Sequence, residues 1–502
     1  MSEILLGQSY FMRFDPKLYA AMQPYPPLGA LYAAGYLRAH GHDVAVFDAM
    51  LANSELDWEA ALAQQRPRFA VLYEDSFNYL SKMCLLRMRQ AAFEMICRAR
   101  ERGCVVIVSG SDATDRLAEY LTQGADYILI GEGEITLNEL ITAVKHGAPV
   151  NEIRGLAWRD KNGTIQRAPP RHFIRELDRL PFPAWDLVDI ERYRRLWRER
   201  HGYFSMNLVT TRGCPYHCNW CAKPIYGQRY NSRTPENVVA EMRLLKDTFH
   251  PDQIEFADDI FGLRPGWIER FADLVHEQGA QIPFKCLLRA DLLTDGVVTA
   301  LARAGCATVW MGAESGSQKI LDAMEKGTRV EQIYRAAERL HRAGIRVGFF
   351  LQYGYRGEDG NDIARTLQMV RDCRPDDIGI SVSYPLPGTK FYEQVKAELG
   401  DKQNWVDSDD LALMYRGTYS PEFYRVLYRV THYAFRLQRA QQALAQVLRH
   451  PSRWRPYHWR SLASLPANAI RLGLARLQLF ALAQLDILWR KRKSATARTP
   501  QP

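Results

Sequence analysis

Short apolar runs separated by stretches of helical periodicity organise the first third of the chain. Residues 44–48, 69–73, 105–109 and 127–130 are rich in Val, Ile, Leu, Ala, Phe and Tyr. Runs of that kind are covered on both faces and predict an open parallel α/β sheet. Ligands of such sheets lie beyond the carboxyl ends of the strands. This gathers Asp48, Glu74, Asp75, Ser109, Gly110, Gly131, Glu132, Gly133 and Glu134 on one rim. The glycines lack the Cβ that would hold a large flat ligand away.

A second series of strand-like runs occupies residues 203–209, 254–259, 284–289, 309–317, 347–354 and 378–384, with Thr234-Pro235-Glu236 opening a helix between the first two. Between the two series, residues 153–159 and 163–165 suggest a small hairpin. Residues 180–186 carry Pro181 and Pro183 and read as a stiff strap that orients what it joins. A chain of 502 residues is too long for one core. The expected division is 1–145, a connector at 146–200, a second α/β unit at 201–400, and a helical region at 401–502.

Charge changes the picture at the far end. The formal net charge is +9, and residues 451–502 hold ten Lys or Arg, including Arg453, Arg455, Arg460, Arg471, Arg476 and Arg498, against the single acid Asp486. The rest of the chain is therefore formally neutral, which disfavours nucleic-acid binding at a catalytic face. Residues 462–489, from Leu462 to Trp489, are strongly apolar but interrupted by Arg471, Arg476 and Asp486. A spanning helix needs about twenty consecutive apolar residues. Followed by Arg490-Lys491-Arg492-Lys493, the segment instead predicts an interfacial helix on an anionic membrane surface. A helix packed on the rest of the protein is the competing expectation.

Nine scattered cysteines and a start without a basic region argue against a disulfide framework and a secretory leader. The expected setting is a reducing cytoplasm, with peripheral attachment at the inner face of the membrane. Three of the cysteines are not scattered. Cys214, Cys218 and Cys221 stand in Thr-Arg-Gly-Cys-Pro-Tyr-His-Cys-Asn-Trp-Cys. A structural zinc site wants four ligands, whereas the next cysteine is Cys286 and His217 is confined inside the loop. Three thiolates suit an iron–sulfur cluster that keeps one iron free.

On this C-x3-C-x2-C loop the chain resembles the radical S-adenosylmethionine (SAM) superfamily over about residues 200–400. The resemblance implies a partial parallel (β/α)6 barrel and a [4Fe-4S] cluster held by the three cysteines. SAM is chelated to the free iron and cleaved to a 5'-deoxyadenosyl radical after reduction by an external donor such as flavodoxin or ferredoxin. It also implies that Asp259 meets the methionyl amine, unless it caps the turn at 261–265. Arg289 pairs with the SAM carboxylate or with Asp291, and Glu314 and Ser315 contact SAM from a Gly-rich turn, whose serines are equally suited to cap the next helix.

Residues 10–145 resemble the Rossmann-like cobalamin-binding domain that precedes many such barrels, through Pro26-Pro27-Leu28-Gly29, Ala33-Ala34-Gly35-Tyr36-Leu37 and Gly124-Ala125-Asp126-Tyr127 leading to Gly131-Glu132-Gly133-Glu134. The Asp-x-His-x-x-Gly motif is absent. That resemblance implies cobalamin with its lower face free of histidine and turned to Glu74-Asp75-Ser76-Phe77-Asn78; a scaffold that only supports the barrel is the alternative. The Pro-Leu-Pro-Gly-Thr run at 385–389 and the segments at 405–411 and 415–424 resemble the anaerobic magnesium-protoporphyrin monomethyl ester cyclase branch. The implied activity is methylation of an unactivated carbon in a hydrophobic small molecule or lipid. The alternatives are radical cyclisation or oxidation of a tetrapyrrole-like substrate and, less favoured by the charge, RNA modification. Gln352, Tyr353, Ser383 and Tyr384 are expected to line the substrate pocket.

Overall fold

Seven strands form the first sheet of the computed structural model, which describes residues 1–223, 225–449 and 463–496. They are β1 (Ile4–Gly7), β2 (Val44–Val46), β3 (Phe69–Tyr73), β4 (Val105–Ser109), β5 (Tyr127–Leu129), β6 (Leu156–Arg159) and β7 (Ile165–Arg167), in the order β2-β1-β3-β4-β5-β6-β7. The first five run parallel, and the β6–β7 hairpin adds antiparallel to β5. The hairpin expected in the connector therefore extends this sheet. β1, paired on both sides by β2 and β3 and with all four residues buried, was not among the expected strands.

The second sheet is β8 (Ser205–Leu208), β11 (Gln253–Phe256), β12 (Phe284–Leu288), β13 (Cys306–Glu314), β14 (Arg346–Tyr353) and β15 (Asp377–Val382), paired in that sequence and everywhere parallel. Helices separate successive strands, as parallel pairing requires, and the sheet curls into a half-barrel. Its six strands coincide with the six apolar runs read from the sequence. A short pair, β9 (Thr211–Arg212) and β10 (Asn231–Ser232), stands at its mouth. Inside the curl the Trp310 and Phe350 rings stack at 4.7 Å. Gly348 makes this possible, because a Cβ there would lie 2.3 Å from the indole.

The first sheet is covered by a separate core on each face, with Leu5, Leu72 and Val108 in one and Leu6, Val71 and Ile107 in the other, while the barrel's core extends to Leu28, Leu31 and Tyr32 of the helix Leu28–Ala39. The proline strap binds this helix. Ala184 N donates to Leu31 O at 3.0 Å, and Phe182 O sits 2.7 Å from where a Cβ on Gly35 would be.

The helices Pro421–Arg449 and Leu465–Thr496 pack antiparallel. Ser420 N donates to Asp486 at 2.8 Å and Arg429 to Gln478 at 3.3 Å. Val426, Val430, Leu472 and Ala475 form their shared core. Arg453, Arg455, Arg460, Leu462 and Arg498 lie outside the described residues. No helix among the described residues is long and apolar enough to cross a membrane.

Candidate functional site

The cysteine loop rises from a fixed base. Asp258, at the end of β11, is buried and accepts hydrogen bonds from the backbone N–H and hydroxyl groups of both Thr210 and Thr211, at 2.7–3.1 Å. Burial pushes its pKa up to about 6 against those bonds. Pairing of β9 with β10 closes the loop's two ends. Gly213 has φ +80°, and a Cβ there would meet Arg229 O at 2.4 Å, so only glycine fits before the first cysteine. Asn219 latches the loop to the end of the helix after β13: its N–H donates to Met324 O and its amide to Ala323 O, while Tyr355 donates to Asn219 Oδ1.

Cys214 and Cys218 are buried, Cys221 is half-buried, and all three thiols are free. Burial raises the pKa of Cys214 and lifts Cys221 to about 11, with Lys223 opposing in both cases. Among the described residues no three His, Cys, Asp or Glu side chains are gathered to hold one metal ion. A [4Fe-4S] cubane is ligated through separate irons, so its thiolates need not converge on one point. Three free thiols on a glycine-hinged loop, with Arg289 Nη1 3.9 Å from Cys218 Sγ, fit such a cluster.

A shelf of paired charges adjoins the thiols. Arg289 lies over the Tyr216 ring at 3.7 Å, forks onto Asp291 at 3.0 and 3.1 Å, and donates to Lys326 O at 2.9 Å. Asp291 is thus its carboxylate partner in this structure. Glu314 has φ +54° at an irregularity in the β13–β14 pairing, which aims its carboxylate at Lys326 Nζ, 2.8 Å away in a buried ion pair. Asp259 accepts from Lys82 Nζ at 2.9 Å, and among the described residues the backbone N–H groups of Phe261 and Leu263 donate elsewhere, to Leu287 O and Tyr230 Oη. Burial works against the charge on Lys82, but Asp259 and the neighbouring Cys221 and Cys214 more than offset it and raise its pKa. Ser315 takes the local role left open for the serines of this turn. Fully buried, its hydroxyl accepts from Ser317 N and meets Thr366 Oγ1, both at 3.2 Å, so it braces the turn against the helix Gly360–Cys373.

The rim of the first sheet faces this shelf. Glu74 accepts from Ser9 N and Asp75 from Gly29 N and Phe77 N, so both carboxylates hold the rim's backbone together. Burial pushes Glu74 to about 7 and Asp75 to about 6. Two expected openings are filled from within. A Cβ on Gly110 would meet the Glu74 side chain at 2.9 Å, and one on Gly133 would meet the Tyr73 ring at 2.7 Å and Ser109 Oγ at 3.0 Å. Gly131, with φ +83°, has only Ile225 O near, at 4.0 Å. Gln8 Nε2, Ser9 Oγ and Ser81 Oγ are buried here without a hydrogen-bond partner among the described residues. These donors fit an amide- and phosphate-rich ligand such as cobalamin. A cleft lined by Lys82, Arg89, Ser111, Ala222, Tyr384 and Asn404 opens where the rim, the thiol loop and the segment after β15 meet. Tyr353 turns away from it and meets Thr431 at 3.2 Å behind the sheet, whereas Gln352 donates to Ser383 at 3.0 Å on the barrel side.

The two units are joined by charges that sequence reasoning missed. Arg212 is 2.9 Å from Glu132 and 2.6 Å from Glu134, with all three side chains 3% exposed. Tyr32, Phe77 and Tyr226 surround its guanidinium, and Phe77 stacks on Tyr226 at 5.4 Å. The available signal was an arginine two residues before Cys214 and two acids in Gly-Glu-Gly-Glu.

Residues 208–370 match the Radical SAM superfamily model. The chain carries a radical SAM domain. Over 391 residues it is 28% identical to the anaerobic magnesium-protoporphyrin IX monomethyl ester cyclase of Rubrivivax gelatinosus, covering 75% of this chain and 67% of the cyclase. An uncharacterised methyltransferase of Pyrococcus horikoshii is 25% identical over 372 residues, 73% of this chain and 78% of that protein. The radical SAM methyltransferase TsrM from Kitasatospora setae, solved with cobalamin and a [4Fe-4S] cluster bound, superposes with a TM-score of 0.65 at 19% identity, over 79% of this chain and 75% of TsrM. At that identity the likeness is one of fold. Covering 79% of the chain, it extends well beyond residues 208–370.

Proposed function

We propose that this chain is a cobalamin-dependent radical SAM methyltransferase that methylates an unactivated carbon of a hydrophobic small molecule or lipid. The observation that carries the reading is the meeting of two built surfaces. The thiol loop with its charged shelf lies against a rim of buried, unpartnered polar atoms, and Lys82 on Asp259 ties one to the other. When bound, the cluster supplies an electron to cleave SAM, and cobalamin supplies a methyl carrier. Cys214, Cys218 and Cys221 would hold the cluster; Arg289 and Lys326 place positive charge beside it. Glu314 and Asp259 offer carboxylates to the SAM amine, at positions where a desolvated cation is favoured. Gln8, Ser9, Ser81 and Gly131 would take cobalamin. The cleft at Tyr384 and Asn404 would align substrate between the two cofactors, and positioning of that kind is the protein's share of the rate. The electron comes from an external donor such as flavodoxin or ferredoxin.

The test is anaerobic turnover with cobalamin and methyl-labelled SAM. Label in a heavier product with S-adenosylhomocysteine formation supports methylation. Absence of cobalamin binding would overturn the reading. A second reading, radical cyclisation of a tetrapyrrole-like substrate, draws on the 28% identity to the Rubrivivax cyclase. It predicts substrate-dependent 5'-deoxyadenosine with no label transferred.

A further inference from the structure

The helix Leu465–Thr496 is apolar on two opposite sides. Leu472, Ala475, Leu479 and Leu482 face the helix Pro421–Arg449. At 100° per residue, Ile470, Leu474, Leu477, Leu485 and Leu488 fall on the other side with Phe480 at its edge, and each is more than half exposed, Leu477 at 70%. A contiguous apolar stripe of this kind on a surface marks an interaction site. Arg471 and Arg476 are exposed on its two flanks. The acid of this helix, Asp486, is turned inward to Ser420 N. The helix backbone then continues through Arg490-Lys491-Arg492-Lys493.

We propose that this stripe docks on an anionic lipid surface, with the helix lying in the interfacial plane and its other side fixed to the protein. The charge pattern selects the occupant. The same face of a second copy offers Arg471 and Arg476 and no outward acid from this helix, since Asp486 is turned to Ser420, whereas acidic headgroups complement the arginines and the leucines and phenylalanine enter the acyl boundary. The helix hairpin is thus a membrane-facing platform and not a free tail, which places the enzyme beside a source of apolar substrate.

The test uses the full-length, cluster-loaded enzyme in flotation with vesicles of about one-third phosphatidylglycerol in phosphatidylcholine, beside vesicles of phosphatidylcholine alone. The wild type floats with the anionic vesicles at low salt and much less with the neutral ones. Leu474→Gln/Leu477→Gln/Phe480→Gln loses at least about tenfold in partition, with its circular dichroism, cluster absorbance and SAM cleavage unchanged. Arg471→Glu/Arg476→Glu, which leaves the apolar stripe intact, loses binding to anionic vesicles selectively. Equal flotation of the triple variant and the wild type would overturn the proposal. So would a wild-type dimer that the triple variant converts to monomer without vesicle binding in either. Because SAM cleavage is read in the same samples, failure here is distinct from failure of the methyltransferase reading.

Discussion

Lys326 Nζ lies 2.8 Å from Glu314 Oε1, in a pair whose side chains are 8% and 6% exposed. The pair ties the strained end of β13 to the loop behind Arg289, whose guanidinium donates to the carbonyl of the same lysine.

Removing one partner strands a buried charge. Lys326→Met is expected to lower stability by about 3 kcal/mol, read by denaturant unfolding of the anaerobic protein. Glu314→Gln/Lys326→Met should recover much of that loss while SAM binding stays weak. Recovery of SAM affinity in the double variant would show that Glu314 does not contact SAM.

Arg289 concerns the thiols themselves. Its guanidinium, 3.9 Å from Cys218 Sγ, favours added negative charge on a cluster held there, because net charge and hydrogen bonds to sulfur set cluster potentials. Arg289→Leu is expected to move the midpoint to a more negative value with iron content unchanged, as followed by EPR-monitored titration. An unchanged midpoint would reduce Arg289 to a structural partner of Asp291.

Arg212 joins the sheets through Glu132 and Glu134. Arg212→Met leaves two buried carboxylates facing each other and is expected to cost about 3–5 kcal/mol. Limited proteolysis should then cut within residues 170–200. Arg212→Met with Glu132→Gln and Glu134→Leu should restore protection, because the loss comes from unpaired charge rather than from missing attraction.

Stability should also fall with rising pH on account of Glu358. Its carboxylate is fully buried and accepts from Gly354 N at 2.6 Å, and burial raises its pKa from 4.5 to about 8. Between those values the unfolded chain has released a proton that the folded chain keeps. The contribution is therefore full below pH 4.5 and declines up to about pH 8, by at most about 1.4 kcal/mol per pH unit. Glu358→Gln should flatten the slope of unfolding free energy against pH over that window; an unaltered slope would assign it to other groups.

The barrel strands were legible because apolar residues occupy both of their faces, the outer one buried against helices and the half-open inner one carrying Leu287, Trp310 and Phe350, so the runs are nearly continuous. Ile4–Gly7 escaped notice because four residues near the start of the chain carry no periodicity, although they form an interior strand of the first sheet. The thiols were legible from spacing alone. Their surroundings were not, since Arg212 and Glu132 are 80 residues apart and Lys82 and Asp259 are 177 apart. For Ser315 the sequence left two roles open, a ligand contact and a local hydrogen bond within the turn. The turn approaches the helix Gly360–Cys373 so closely that a Cβ on Gly316 would lie 2.4 Å from Arg365 O, and in this structure the hydroxyl bonds locally, to Ser317 N and Thr366. Glycines at 110 and 133 likewise made room for neighbouring side chains of the same chain.

Asp258 closes the base of the cysteine loop with protein groups alone: two threonines, each through its amide and its hydroxyl, beside a pair of short strands. Metallo-domains that fold only around their ion have no such clasp. The base of the loop is therefore expected to keep its shape when the iron is removed, read as unchanged hydrogen-exchange protection of Thr210 and Thr211 in the apo protein. A precursor whose loop base is already fixed would then be the species to which a scaffold protein delivers the cluster.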